Sequence, residues 1–320
     1  MKISELKSLV LDGRTLNRGQ AMNLWETDAD ELFSAADEIR RKMCGNSFEL
    51  CTITNGKSGS CSENCAYCAQ SVSCHSSNPN YGLLSKEKIF ANAMQSERAG
   101  VLRFSVVTSG RALPQEDLDK LYETYRQLKA DTKLFLCASH GLLSLEQLLE
   151  LHSAGVTRYH NNLETSRRYF SEICTTHTYD EKIQTIRWAQ KAGLEVCSGG
   201  IIGLGETRGD RVDLAITLRE LDIRSVPLNV LNPIPGTPME NRTPLTRLEV
   251  QKTIAVFRFL LPQAAIRLAG GRNLLEDLGE GCFKAGANAA ITGDMLTTSG
   301  ISVQTDRELI GELGYEVKRL

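Results

Sequence analysis

Short apolar runs, many of them β-branched, recur along the chain, and each gives way to polar or glycine-containing residues before a longer stretch of helical character begins. The runs over 49–54, 101–107, 133–138, 156–161, 194–199, 225–231, 264–269 and 288–292 predict strands. The stretches between them predict helices over 86–99, 115–129, 144–154, 180–192, 209–221, 246–260 and 273–285, with helical character again before residue 44. Strands that alternate with crossover helices make a parallel sheet, and eight such units predict an α/β fold, a (β/α)8 TIM-type barrel with an α-helical N-terminal extension. The chain divides accordingly into a helical extension over 1–44, a barrel over 45–300 and a C-terminal tail over 301–320.

Barrel active sites sit at the carboxyl ends of the strands, and the chemistry-bearing residues fall there. Cys61, Cys65 and Cys68 follow the first strand, Ser105 lies on the second, Cys137 on the third, and Asn161 and Asn162 end the fourth. Cys197, Asn229 and Arg267 lie on the fifth, sixth and seventh. A lone buried cysteine is an ordinary small core residue. Convergence on one mouth is what sets these apart from packing.

Composition narrows the classes of function. A net charge of −2 and scattered basic residues without aromatic interleaving imply neither a nucleic-acid nor an acidic-lipid partner. Ten cysteines would suggest a disulfide framework in a small secreted chain, but this one has 320 residues, no apolar signal-like core at its start and no apolar run long enough to span a bilayer. Reduced thiols in the cytoplasm are the expectation.

The densest chemistry lies in Cys61-Ser-Glu-Asn-Cys65-Ala-Tyr-Cys68. Three soft ligands on one loop suit an iron–sulfur cluster, and a four-iron cluster held by three thiolates keeps one iron open to bind and activate a small molecule. Zinc or a disulfide pair are the alternatives. A zinc site usually pairs one C-x2-C knuckle with a second, which the sequence lacks, and the five histidines form no metal-spaced set.

The C-x3-C-x2-C spacing, with Tyr67 directly before the last cysteine, resembles the cluster loop of the radical S-adenosylmethionine enzymes. Further segments narrow the resemblance: Asn-Asn-Leu-Glu-Thr-Ser (161–166), Val-Cys-Ser-Gly-Gly-Ile-Ile-Gly-Leu-Gly-Glu-Thr (196–207), Val-Pro-Leu-Asn-Val-Leu (226–231), Ile-Arg-Leu-Ala-Gly-Gly-Arg (266–272) and Gly-Ala-Asn (286–288). Together they resemble the biotin synthase family from about residue 45 to 300. The resemblance implies conversion of dethiobiotin to biotin by insertion of sulfur between two unactivated carbons. It implies a [4Fe–4S] cluster on Cys61, Cys65 and Cys68, with S-adenosylmethionine on the open iron, and radical chemistry in place of a catalytic side chain. Tyr67, Asn161, Glu164, Lys182 and Ile201 are then expected around S-adenosylmethionine, Lys182 standing where the family more often has an arginine. Asn162 and Asn229 are expected against dethiobiotin, and Thr297, Thr298 and Ser299 near its carboxylate.

The family also implies an auxiliary iron–sulfur cluster, [2Fe–2S] or a larger variant, that donates the sulfur and is held by three cysteines and one arginine. Cys137, Cys197 and Arg267 match that set, but Ser105 stands where the remaining cysteine is expected, and its alkoxide is a harder, more basic ligand than a thiolate. Cys74, an extra thiol in the polar segment Gln-Ser-Val-Ser-Cys-His-Ser-Ser (70–77), is the expected replacement, with Cys51 on the first strand a second candidate. Cys44, Cys174 and Cys282 match nothing and are expected to be structural. The resemblance further implies a small electron donor such as flavodoxin or ferredoxin, and a homodimer. Two other readings stay open. A related radical enzyme, such as a hydrogenase-cofactor maturase, needs the loop but not Cys137, Cys197 and Arg267; a non-catalytic iron–sulfur scaffold needs neither the open site nor the glycine-rich turn over 199–205.

Overall fold

The eight strands that the sequence predicts close into a ring, and the chain adds two short strands outside the predicted ranges. In the computed structural model, which describes residues 1–59, 61–75 and 78–319, they are β1 (Ser47–Lys57), β2 (Arg103–Thr108), β3 (Phe135–Ser139), β4 (Val156–His160), β5 (Glu195–Cys197), β6 (Gly200–Ile202), β7 (Ser225–Val230), β8 (Ala265–Leu268), β9 (Ala289–Ile291) and β10 (Glu316–Val317). Neighbours in the order β1-β2-β3-β4-β5-β7-β8-β9 are parallel, β6 continues β5 alongside β7, and the pairing of β1 with β9 closes the barrel. Helices α1 (Ile3–Leu11), α2 (Arg18–Asn23), α3 (Ala29–Cys44), α4 (Lys86–Arg98), α5 (Gln115–Asp131), α6 (Leu145–Ser153), α7 (Phe170–Ile173), α8 (Tyr179–Lys191), α9 (Arg208–Glu220), α10 (Arg247–Leu260), α11 (Glu280–Lys284) and α12 (Val303–Glu312) accompany the strands. Among the described residues no helix is long and apolar enough to cross a membrane.

The N-terminal helices form a belt on the outside of the ring. Helix α3 lies along α10 and α2 along α9, where the buried Trp25 sits beneath Arg208 and Arg211. Lys252 donates to the carbonyls of Trp25 and Thr27 and so fixes the turn between α2 and α3. The C-terminal segment is more than a tail: α12 leads into β10, which pairs in parallel with Ser47 and Phe48 at the start of β1. Phe48 meets the rings of Phe283 and Tyr315 edge-on at 5.0 and 5.2 Å, closing the barrel from below.

Two expected elements break, both for local reasons. The fifth strand stops at Cys197 and resumes at Gly200 because Pro227 on β7 has no N–H to donate at that level, and the backbones approach so closely that a Cβ on Gly199 would lie 1.9 Å from the Pro227 carbonyl oxygen. The helix expected over 273–285 is a 3-10 turn followed by α11, since Leu278 and Gly279 take the left-handed conformation and the Asp277 carboxylate accepts from Gly279 N and Gly281 N.

Inside the lower barrel lies a knot of charge. The Glu49 carboxylate on β1 accepts from Arg158 on β4 at 2.6 Å and from Arg267 on β8 at 2.5 Å, with Arg103 Nε on β2 at 3.4 Å. All four side chains are buried, and the three guanidinium groups hold the Glu49 carboxyl far below the ordinary range against the opposing effect of burial. A carboxyl depressed in the folded chain contributes stability above its unfolded value, about 4.3, and loses that contribution as pH falls through and below it. Glu49→Gln should therefore destabilise the chain by about 3–5 kcal/mol in urea unfolding at neutral pH. The gap from wild type should narrow as the pH is taken below about 4.

Candidate active site

A cavity of about 420 Å³ opens at the carboxyl ends of the strands. It brings together Cys61, Cys65, Tyr67 and Cys68 from the loop after β1, and Asn161, Asn162, Glu164 and Lys182 from the segments after β4. Ile201 and Asn229 line its wall, Cys51, Cys137, Cys197 and Arg267 its floor, and Thr297 and Thr298 its rim. Cys74 and Ser299 are not among the lining residues.

Backbone bonds and a clamp from across the barrel hold the cysteine loop. Cys68 N donates to Cys65 O, Val72 N and Ser71 Oγ donate to Glu63 O, and Ser109 Oγ on the neighbouring turn donates to Gly59 O. The segment after α7 grips the loop's other side. Ala66 N donates to Ile173 O at 2.9 Å, and the Asn64 side-chain oxygen accepts from the backbone N–H groups of Thr175 and Thr176. Buried Glu63 accepts from Thr176 Oγ1 at 2.7 Å and from His177 Nδ1. Burial pushes the Cys68 thiol up to about 11. Cys174, expected to be structural, instead has its sulfur 3.8 Å from that of Cys65 and 3.3 Å from His177 Nδ1. The Cys65 thiol, assisted by His177 and Thr176, brings Cys174 down to about 3.

On the adjoining wall the backbone is bent to present polar groups. Glu164 takes φ +70°, an uncommon conformation for a side chain of its size, and its N–H donates to Gly199 O while its own carbonyl accepts from Ile201 N. The Asn162 side-chain oxygen accepts from Gly199 N at 3.0 Å, so the break between β5 and β6 is what docks this segment. Asn161 Nδ2 and Glu164 Oε2 are buried with no hydrogen-bond partner among the described residues, a donor and an acceptor facing the same space. Burial and the Glu164 carboxylate push the Tyr67 hydroxyl's ionisation well up. Lys182 is buried rather than solvated; its ammonium reaches Asn161 Oδ1 at 3.4 Å and has no carboxylate partner among the described residues. A buried cation, an unpaired amide N–H and an unpaired carboxylate oxygen suit an amino-acid carboxylate and ribose hydroxyls, the polar groups of S-adenosylmethionine. Asn229, expected against substrate, has its amide engaged within the protein, accepting from Gly270 N and donating to Gly200 O.

The floor holds three thiols above the charge knot. The Cys51 thiol on β1 donates to Thr52 O at 3.5 Å, and the nearby Cys51, Arg103 and Arg158 draw Cys137 on β3 down toward thiolate in spite of burial, which pushes Cys51 and Cys197 the other way. Arg103 Nη1 approaches the Cys137 sulfur at 3.6 Å, and Ser225 Oγ donates to the Cys197 sulfur at 3.2 Å. Arg103 Nε and Nη2 and Glu49 Oε2 are buried with no hydrogen-bond partner among the described residues. The expectation that Cys74 completes this set does not fit the geometry: Cys74 sits near Cys68 on the loop above, held by a bond from its N–H to Ser71 O. In sequence Cys51 is the second candidate, and Glu49, Arg103 and Arg158 are not among the expected site residues. Alternation along β1, which points 49, 51 and 53 to one side, was the signal available for Glu49 and Cys51.

A parallel barrel with a three-cysteine loop at its mouth, over a cavity lined with groups suited to a charged nucleoside, defines a radical S-adenosylmethionine enzyme. Residues 57–218 match the Radical SAM superfamily, and 227–316 match the Biotin and Thiamin Synthesis associated domain. The chain is 55% identical over 315 residues to biotin synthase of Clostridium botulinum (strain Alaska E43 / Type E3), covering 98% of this chain and 99% of that protein. Biotin synthase of Brachyspira hyodysenteriae (strain ATCC 49526 / WA1) is 50% identical over 318 residues, covering 99% and 96%. Among solved structures, methylornithine synthase aligns at TM-score 0.86 with 20% identity over 98% of this chain and 97% of that one. The FeFe-hydrogenase maturase of Carboxydothermus hydrogenoformans aligns at 0.83 with 17% identity over 98% and 78%. These two share the fold alone. The chain belongs to the biotin synthase family: it is a radical S-adenosylmethionine sulfurtransferase, and its reaction is the sulfur insertion that turns dethiobiotin into biotin.

The close approach that docks the Glu164 segment is open to test. A Cβ on Gly200 would lie 2.3 Å from Glu164 O and 2.8 Å from Leu214 Cδ2, whereas one on Gly311 in α12 meets nothing within 4 Å. Gly200→Ala should cost about 1–3 kcal/mol in urea unfolding. Gly311→Ala should be neutral or stabilising by up to about 1 kcal/mol.

Proposed function

We propose that the sulfur comes from an auxiliary iron–sulfur cluster whose thiolate ligands are Cys51, Cys137 and Cys197, the strand-one cysteine standing in for the absent strand-two one. The convergence of Cys51, Cys137 and Cys197 on one cavity, which Cys74 does not line, carries this reading. Strands β1 and β2 are neighbours, and adjacent strands run only about 4.8 Å apart, so a thiol on one reaches much the same point in the lumen as a thiol on the other. The surrounding charge supports it. Three guanidinium groups face one buried carboxylate, Glu49, and a half-exposed one, Glu195, so the floor is a cationic environment suited to thiolates and an anionic cluster. The terminal nitrogens of Arg267 are held by Glu49 and by the Ala290 carbonyl, so its part here is to supply positive charge beside the cluster.

When bound, the [4Fe–4S] cluster on Cys61, Cys65 and Cys68 supplies the electron that cleaves the sulfonium of S-adenosylmethionine, and the auxiliary cluster supplies the sulfur. The protein's own residues position and shield. Lys182 would meet the cofactor's carboxylate, Asn161 and Glu164 its ribose hydroxyls, and Tyr67 and Ile201 would wall it in. Asn162 would face dethiobiotin, while Asn229 fixes the turns around it. Thr297 and Thr298 stand at the rim, where they would limit the access of bulk water and stray reductants to the lumen. The family supports a flavodoxin- or ferredoxin-type electron donor, a homodimer and a cytoplasmic home.

Iron and sulfide analysis after anaerobic reconstitution tests the ligand set. Cys51→Ala should lose the auxiliary share of both while keeping that of the radical cluster, and Cys74→Ala should keep both; the opposite pattern would return the ligand to the upper loop. Lys182→Met should raise the Kd for S-adenosylmethionine by roughly tenfold or more, the scale of a hydrogen bond between charged groups, with iron content unchanged.

A further inference from the structure

The rim of the cavity is held unevenly. The cysteine loop is gripped through Ala66, Asn64 and Glu63 by the segment after α7. Residues 294–299, by contrast, make a single hydrogen bond to the barrel wall among the described residues: Asn55 Nδ2, at the top of β1, donates to Leu296 O at 2.9 Å. Met295, Leu296, Thr297 and Thr298 of this segment nonetheless line the cavity. We propose that residues 293–300 are a flap through which dethiobiotin enters and biotin leaves, and that Asn55 is its latch.

The neck of the segment has the form of a hinge. Ile301 O accepts from Gly293 N at 2.7 Å and from Thr292 Oγ1 at 3.2 Å, so the two ends meet. Gly293 takes φ +77°, and a Cβ on Gly300 would lie 1.8 Å from Gly293 O. Between them the chain makes a local turn, Met295 N donating to Thr298 O at 2.9 Å. A short loop with joined ends and few ties to its surroundings is the kind of element that opens by itself while the barrel stays folded. The latch residue is aimed by its strand. The register of β1 against β2 slips between Asn55 and Lys57, a bulge of the kind that redirects a side chain at a barrel rim. Tyr81 OH donates to Asn55 O at 2.9 Å and steadies the backbone at that point. The Asn55 amide is only half used, because its Oδ1 is buried with no partner among the described residues. One bond made and one acceptor left unpaired keep the closed form only slightly favoured, which is what a gate requires. The inference takes dethiobiotin to lie in this cavity, as in the reading above.

A latch on a gate governs both entry and exit, whereas a residue that merely supports a binding site governs exit alone. The test uses the reconstituted holoenzyme, anaerobic and saturated with S-adenosylmethionine, and follows labelled dethiobiotin by rapid mixing and by chase with the unlabelled compound. Asn55→Ala should speed association and dissociation alike by about two- to tenfold, the scale of one hydrogen bond, while Kd moves less than either rate. Faster dissociation with unchanged association would make Asn55 a plain support and overturn the proposal. Gly300→Ala, which forces the neck apart, should change the two rates in the same sense. The Kd for S-adenosylmethionine should be unchanged in both variants; a matching rise would mean a general loosening of the site and would also overturn it. Hydrogen exchange of the wild type gives a readout free of any substitution: peptides spanning 293–300 should be protected when dethiobiotin is added, and equal exchange with and without it would rule out a flap. Failure of the wild type to bind dethiobiotin beside S-adenosylmethionine would remove the cavity reading itself, and the flap with it.

Discussion

The carboxylate of Glu49 ties four strands of the barrel together from within. It stands on β1 and accepts from guanidinium groups on β4 and β8, with that of β2 close by, so one buried anion fixes the distances across the lumen. Such a knot is costly by itself, because taking ions out of water is repaid only where geometry and hydrogen bonds are nearly complete. Here they are incomplete in one direction. Arg103 Nε and Nη2 make no hydrogen bond among the described residues, facing Glu49 at 3.4 Å and Glu195 at 3.5 Å, while Nη1 approaches the Cys137 sulfur. Arg258, also fully buried, makes the contrast: its guanidinium is shared among the carbonyls of Gly286, Pro262 and Ala264 and the side-chain oxygen of Asn288. An arginine satisfied by carbonyls needs no further anion. The floor arginines are arranged to accept one.

That electrostatic setting supports the proposed auxiliary site, in which the third thiol would come from β1 rather than β2. A floor thiol stands in the field of the same guanidinium groups whether it comes from β1 or β2. At strand two, Ser105 keeps a small polar side chain at a buried position in register with Ile53 and Cys137. Positive charge on the floor, more than the identity of any one ligand, is what holds the site together.

The barrel itself was legible from residue order, since each parallel strand is buried on both faces and reads as an apolar run between helical stretches. The cysteine loop, the residues that end β4 and the thiols of β3 and β5 were legible because barrel geometry sends strand ends to one mouth. What escaped was long-range. Glu49 reads as an isolated acid until β4 and β8 bring arginines to it, and Cys174 reads as a core thiol until the loop before α8 is laid against the loop after β1. Cys74 stays near Cys68 on the upper loop and does not line the cavity, a placement that spacing along the sequence does not convey. The broken fifth strand was equally hidden, because the proline responsible lies on the neighbouring strand.

The two halves of the site therefore rest on different physics. The floor is rigid, built from side chains that leave regular strands and are locked by charge. The mouth is an irregular loop that derives its shape from a second irregular loop, through Asn64 and Glu63 against residues 173–177. A metal cluster at the mouth must be assembled and then wrapped by this pair of loops, so the same contacts that pre-shape the loop also hold one of its cysteines toward a neighbouring thiol and imidazole. Pre-organisation of the loop favours the cluster, because its assembly demands thiolates held close together before the metal arrives.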